Sequence, residues 1–148
     1  MSDLAQLPAF SAFAWSTLAL SVNLLFTWGG SGGARAKSKT TMNPEDATTV
    51  SKGAAVVTAD PEAVARGLRV HANAQANILP WFMVASLYVV LGGAATPAMA
   101  LFGTFVAARW IHSFVYLNGI QPWRTISFVV GALATGAVLV MDVIKLLG

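Results

Sequence analysis

The 148-residue chain contains no cysteine, which removes disulfides, thiolate nucleophiles and cysteine-ligated metals together. Its two histidines and six acids are too few and too scattered for a zinc centre, so no metal site is expected. Charge is scarce as well: 10% of the residues, where a soluble domain carries roughly a quarter. Fifteen charged side chains cannot cover the surface of a small water-soluble globule, and the composition argues against a soluble enzyme. Disorder is excluded by an apolar content of 56% and a mean hydropathy of +0.66. What remains is an integral membrane protein, all-α, with residues 1–148 forming one membrane domain.

Residues 7–28 carry no formal charge and are long enough to cross roughly 30 Å of hydrocarbon as a helix. Ala34-Arg35-Ala36 loosely mimics a signal-peptide cleavage site, but the apolar run is too long and no basic residue precedes it. The run therefore reads as a retained first helix. Gly-Gly-Ser-Gly-Gly from Gly29 opens a polar loop, residues 29–60, that holds Arg35, Lys37, Lys39 and Lys52. Asp60-Pro61-Glu62 then supplies a helix start, with an acceptor for the cap, proline at the first position and acid in the first turn. Residues 61–91, 98–117 and 123–147 complete four transmembrane helices in an antiparallel bundle.

The net charge of +3 is concentrated: six of the nine Lys and Arg fall between Arg35 and Arg69. In a chain that otherwise enters lipid, that cluster reads as topology rather than as nucleic-acid binding, and it places the 29–60 loop in the cytoplasm. Trp28 and Trp123 mark the same interface. The Ala- and Gly-rich composition suggests a bacterial inner membrane.

Polarity inside the spans is the informative feature. Arg69, Asn73 and Asn77 are spaced four apart on one face of the second helix, with Arg66 three before Arg69. The apolar stretch that follows, residues 78–91, has 14 residues and cannot span alone, so part of the polar stripe lies at membrane depth. There it must face protein or a wet cavity. An amphipathic helix start in the headgroup layer is the plainer account of that stripe. In the third helix Arg109, His112 and Tyr116 share a face, and intramembrane ionisable groups are rare enough to suggest function; bonding between helices is the plainer account. Pro80 predicts a kink above the stripe. Asn23 is a further buried amide, and Asp142 and Lys145, three apart near the far end of the last helix, can pair or snorkel. One small protomer has little interior for this cluster, which predicts a homo-oligomer with the site between protomers.

These residues also resemble a known family. Arg69-Val-His71-Ala-Asn73 with Asn77-Ile-Leu-Pro80, then Arg109-Trp-Ile-His112-Ser-Phe-Val-Tyr116 and Pro122-Trp-Arg124-Thr125, are similar to motifs of the membrane-associated proteins in eicosanoid and glutathione metabolism (MAPEG). Asn43-Pro44-Glu45-Asp46-Ala47 is similar to a third stretch between them, and the resemblance covers essentially the whole chain. It implies a homotrimer of four-helix protomers, with glutathione between subunits near the cytoplasmic side. It implies transferase or peroxidase chemistry on a lipophilic small-molecule substrate drawn from membrane lipid. By the same resemblance Arg124 stabilises the glutathione thiolate, and the Thr125 hydroxyl donates to the same sulfur. Arg35, Arg69 and Asn73 fall where the peptide's carboxylates and backbone are held, and His112 and Tyr116 line the pocket.

The chain departs from the family pattern at one place that matters. The family carries Asn-x-x-Glu in the second helix, and here the position three after Asn73 is Ala76. The loss leaves Arg69 less compensated and weakens the hold on the γ-glutamyl amine. Phe128 stands where some members place a tyrosine. A second reading follows, in which the fold is kept but another thiol or an anionic lipid-like molecule is bound, with or without catalysis. A third, a four-helix exporter, is disfavoured because the first three helices contain one acid, Glu62, at their cytoplasmic edge.

Overall fold

The computed structural model describes residues 3–148, and four long α-helices carry its fold. After a 3-10 turn at Asp3–Gln6 come α1 (Phe10–Ser38), a two-residue strand β1 (Thr40–Thr41), a short α2 (Pro44–Thr48) and β2 (Ala55–Val56), which pairs parallel with β1. Then follow α3 (Glu62–Val90), α4 (Ala95–Leu117) and α5 (Trp123–Leu147). The α1 helix packs chiefly on α3 and α5 chiefly on α4; α1 also touches α4, and α3 touches α5. Among the described residues α1, α4 and α5 are long and apolar enough to cross a membrane.

Trp81, fully buried, centres the core. Its ring stacks on Phe105 at 5.0 Å and meets the edge of Phe102 at 5.6 Å. The outer surface is apolar too: Trp15, Leu25, Leu133 and Ile144 are all exposed. A water-soluble protein avoids contiguous apolar cover of this kind, whereas lipid solvates it. In lipid the helices gain from close packing rather than from leaving solvent, so small residues belong where they cross. Gly67 is such a place, since a Cβ there would lie 3.2 Å from the Ser31 Cα on α1.

That crossing corrects the expected end of the first helix. Instead of stopping before Gly29, α1 runs through the glycine tract to Ser38, and Lys39 closes it in the left-handed region at φ 51°. Glycine costs about 1 kcal/mol against alanine inside a helix. The cost is met by the Ser31 contact with α3, and Arg35 and Lys37 in the last turn suit the helix dipole.

Three smaller expectations also change. Asp60 does not cap α3: Pro61 holds the cap position without a side-chain bond, and the Asp60 carboxylate is taken by Arg35. The α4 helix starts at Ala95, so Pro97 sits in its first turn, where a missing N–H costs nothing, rather than in the preceding connection. Asp142 and Lys145 do not pair. The Asp142 carboxylate is turned inward, 1% exposed with neither oxygen bonded, while Lys145 Nζ donates to the Gly92 carbonyl at 3.4 Å.

Candidate functional site, a cationic pocket on three helices

At the end of the bundle where α4 turns into α5, Asn73, His112, Tyr116, Arg124, Thr125 and Phe128 enclose a pocket of about 230 Å³. Helical spacing explains each contribution. His112 and Tyr116 are four apart on α4, and their rings meet edge to face at 5.6 Å. Arg124 and Thr125 occupy the first turn of α5, and Asn73 reaches in from α3.

Arg124 is held from three sides. Its guanidinium carbon lies 4.8 Å from the centre of the Tyr116 ring, a cation–π contact. Assigned by its neighbours, the Gln121 amide turns its oxygen to Nη2 at 2.8 Å and Nε at 3.1 Å and its nitrogen to the Thr125 hydroxyl at 3.3 Å, the orientation that satisfies both ends. The Arg124 backbone carbonyl faces Nδ1 of His112 at 3.0 Å and accepts from the Ser127 hydroxyl at 3.1 Å. A carbonyl can only accept, so His112 carries its proton on Nδ1 when neutral, and Nε2 is bare. That nitrogen is buried without a partner. Gln121 and Ser127 escape a reading of the sequence. For Ser127 the available signal was its place on α5 three residues after Arg124; Gln121 lies outside the helix, in the connection before it.

Of the residues singled out in the sequence, Asn73, His112, Tyr116, Arg124 and Thr125 come together in one chain. Arg35 and Arg69 do not join them. Arg35, at the end of α1, is bound by Asp60 through Nη2 at 2.8 and 3.0 Å and Nε at 3.3 Å. Arg69 is half exposed and donates to Glu62 at 2.8 Å; Arg66 shares that carboxylate at 3.2 Å. Arg66 also passes over Gly119, where a Cβ would lie 2.6 Å from Nη1 and where φ is +69°.

The absent carboxylate at Ala76 therefore has a different consequence from the one expected. Arg69 has an acid in Glu62, whereas Arg109, deep in the bundle, is in no ion pair among the described residues. Arg109 is fully buried, donates through Nη2 to the Asn73 side-chain oxygen at 2.8 Å, and has no acceptor at Nε or Nη1. Two more polar links tie α1 to the neighbouring helices: Ser113 donates to Asn23 at 3.2 Å, and Thr27 meets His71 Nδ1 at 3.0 Å.

Fold and pocket define an α-helical integral membrane protein with a guanidinium-lined cavity near one end of its helices. The MAPEG family model matches residues 12–144, and the chain belongs to that family. It is 34% identical over 138 residues to the microsomal glutathione S-transferase 1 of Sus scrofa and 35% identical over 138 residues to that of Homo sapiens, covering 88% of both chains in each case. To the prostaglandin E synthase of Homo sapiens it is 29% identical over 127 residues, covering 85% of this chain and 82% of that one. Its function is accordingly glutathione-related at the level of the family.

Proposed function

We propose that the protein is a glutathione-dependent membrane transferase or peroxidase and that Arg124 stabilises the glutathione thiolate. The observation that carries this reading is the fixed guanidinium of Arg124, backed by Tyr116 and Gln121 and opening into the 230 Å³ pocket. A cation beside sulfur favours the charged form and lowers the thiol pKa, as it does for cysteine. Thr125, beside Arg124, donates its hydroxyl to the same sulfur. The thiol gives its proton to water. The thiolate then forms a carbon–sulfur bond with a lipophilic electrophile, and the leaving group departs with the electron pair. With a hydroperoxide, sulfur attacks the terminal peroxide oxygen instead: the O–O bond breaks, the alkoxide takes a proton from water and leaves as an alcohol, and a second glutathione thiol displaces the sulfenic oxygen as water to form the disulfide.

The pocket of one protomer is smaller than the roughly 300–1,000 Å³ of ordinary small-molecule sites. A homotrimer in which all four long helices span the bilayer, α3 included, completes it between subunits. In that assembly Arg35 of a neighbouring protomer and Arg69 hold the peptide's carboxylates, for which the guanidinium fork is suited. The basic end faces the cytoplasm by the positive-inside rule, the membrane being a bacterial inner membrane, and the second substrate arrives from membrane lipid.

Purified protein in detergent should conjugate glutathione to chlorodinitrobenzene. Arg124→Ala should lower kcat on the order of a hundredfold to a thousandfold, the scale for removing one donor to a developing anion. Lys145→Ala, at the other end of α5, should keep full activity. No glutathione-dependent reaction, or equal loss in both variants, overturns the proposal. The second reading, a fold that binds another thiol or an anionic lipid-like molecule, is favoured by one observation, the uncompensated Arg109. A thermal-shift series in which such an anion stabilises the protein better than glutathione would select it.

A further inference from the structure

The connection between α1 and α3 builds a second cavity, away from the helix pocket. The Ala55 N–H donates to the Lys39 carbonyl and the Val57 N–H to the Thr41 carbonyl, both at 2.9 Å, which fastens β2 to β1 at the end of α1. The segment before β2 is folded in turn by the Ser51 N–H on the Asp46 carbonyl at 2.7 Å and the Gly53 N–H on the Ala47 carbonyl at 3.2 Å. Residues 50–54 are thereby held against the last turn of α1, and a cleft of about 360 Å³ lies between them.

The charge of this cleft has one sign. Lys39 comes from the end of α1 and Lys52 from the connection, thirteen residues later, and no acid lines the cleft. Arg35 borders it as well, but its fork is held by Asp60 through Nε and Nη2. Among the described residues neither lysine is in an ion pair. Like charges brought to one cleft repel, and no carboxylate there offsets the repulsion. The Lys39 backbone is unfavourable too. At φ 51° it closes α1 in the left-handed region, where glycine is the ordinary residue and a side chain is strained. A lysine standing against both its neighbour's charge and its own backbone points to a use for its ammonium.

We infer that the cleft is a phosphate site, with Lys39 and Lys52 as its two cations and the exposed Ser51 hydroxyl as a further donor, and that it takes a phosphate monoester from the aqueous phase. Ammonium groups are compact point charges suited to a doubly charged phosphate, whereas a flat carboxylate favours the arginine fork. Ala36, Val50 and Ala54 give an apolar wall for the small organic body of the ester. Height decides the source. Lys39 lies eleven residues beyond Trp28, about 16 Å along the helix, while the headgroup layer is roughly 5–8 Å thick. Lipid phosphates therefore lie below the cleft. The site uses neither Arg124 nor Arg35, and it stands or falls apart from the thiol chemistry.

Titration calorimetry of the detergent-solubilised protein with phenyl phosphate reads binding without any turnover. One site per chain should appear, with benzoate, a carboxylate on the same ring, bound about tenfold more weakly. Lys52→Gln should weaken phenyl phosphate about tenfold or more, the scale of one hydrogen bond to a charged group. Lys37→Gln, two residues from Lys39 but outside the cleft, should change it by less than about twofold. Lys39→Gly should weaken binding about tenfold while raising the unfolding midpoint, because glycine relieves the left-handed strain. A midpoint that falls together with the binding would make Lys39 a structural residue and overturn its place in the site. In nanodiscs at about 0.15 M salt, where surface charge is screened within about 8 Å, phosphatidylglycerol should leave binding as it is in phosphatidylcholine. Loss of binding there would give the cleft to a lipid headgroup and overturn the soluble source. No saturable binding, benzoate equal to phenyl phosphate, equal losses in Lys37→Gln and Lys52→Gln, or displacement by glutathione each overturns the inference.

Discussion

His112 and Arg124 are joined backbone to side chain: the imidazole Nδ1 lies 3.0 Å from the Arg124 carbonyl, across the turn between α4 and α5. The bond fixes the first turn of α5 against α4 and so sets the height at which the Arg124 guanidinium enters the pocket. His112→Leu removes a donor to a carbonyl that still accepts from Ser127 at 3.1 Å. Stability should therefore fall by only about 1 kcal/mol, near the net worth of one hydrogen bond. Activity should fall further than stability, because Arg124 loses its register. Equal losses in midpoint and rate for His112→Leu and Ser127→Ala would contradict a positioning role specific to the histidine.

Gln121 governs the charge that Arg124 presents. With its amide oxygen on Nε and Nη2, it orients the guanidinium without neutralising it. Gln121→Ala should leave the fold intact and lower kcat roughly tenfold to a hundredfold through misplacement. Gln121→Glu should do something different, since a carboxylate at that place opposes the field of the arginine. The glutathione thiol pKa should then rise, and the rate, low at neutral pH, should recover toward alkaline pH. A pH–rate profile of Gln121→Glu superimposable on wild type would count against thiolate stabilisation by Arg124.

Two glycines on the same pair of helices should respond in opposite directions. At Gly67 an added methyl meets the Ser31 backbone at 3.2 Å, where no flexible side chain can yield. Gly67→Ala should destabilise by about 1–3 kcal/mol, as overpacking does. At Gly30 a Cβ has nothing within 4 Å, and the residue lies inside α1. Gly30→Ala should stabilise by up to about 1 kcal/mol from helix propensity alone. Thermal unfolding of both variants decides; a stable Gly67→Ala would mean α1 and α3 cross elsewhere.

Asp142 is the reverse of a designed ion pair. Its carboxylate is buried and unbonded, and Lys145 points away from it to the Gly92 carbonyl. Replacing an unsatisfied buried polar group with an apolar one of similar size should stabilise, by about 1–3 kcal/mol for Asp142→Leu. Lys145→Ala should change the midpoint little. Loss of stability in Asp142→Leu would show that the carboxylate has a partner in the assembled protein.

Much of this was legible in the sequence, and the misses have physical reasons. Helical spacing marked Asn73, His112 and Tyr116, because polar residues three and four apart on apolar helices have few ways to be satisfied other than together; Arg124 and Thr125 were marked by the motif resemblance alone. The glycine tract misled, because glycine is a helix breaker only where nothing packs against the helix, and the contact that holds α1 there comes from Gly67, thirty-six residues after Ser31. Asp60 misled for a similar reason: a local cap was visible in the chain order, while its stronger partner, Arg35, lay twenty-five residues away. Beside Ala76 the sequence left Arg69 without an acid, because it could not show the path of Glu62, whose carboxylate folds back on Arg66 and Arg69. Gln121 carried no signal, since a glutamine before a proline reads as connection.

The overrun of α1 has a geometric consequence. A helix of 29 residues is about 44 Å long, against roughly 30 Å of hydrocarbon. About a third of α1 therefore stands clear of the oily layer as a mast, with Arg35, Lys37 and Lys39 toward its tip. The equally long α3 meets it there at Gly67, so the two helices rise together and carry the cations of α1 out of the oily layer.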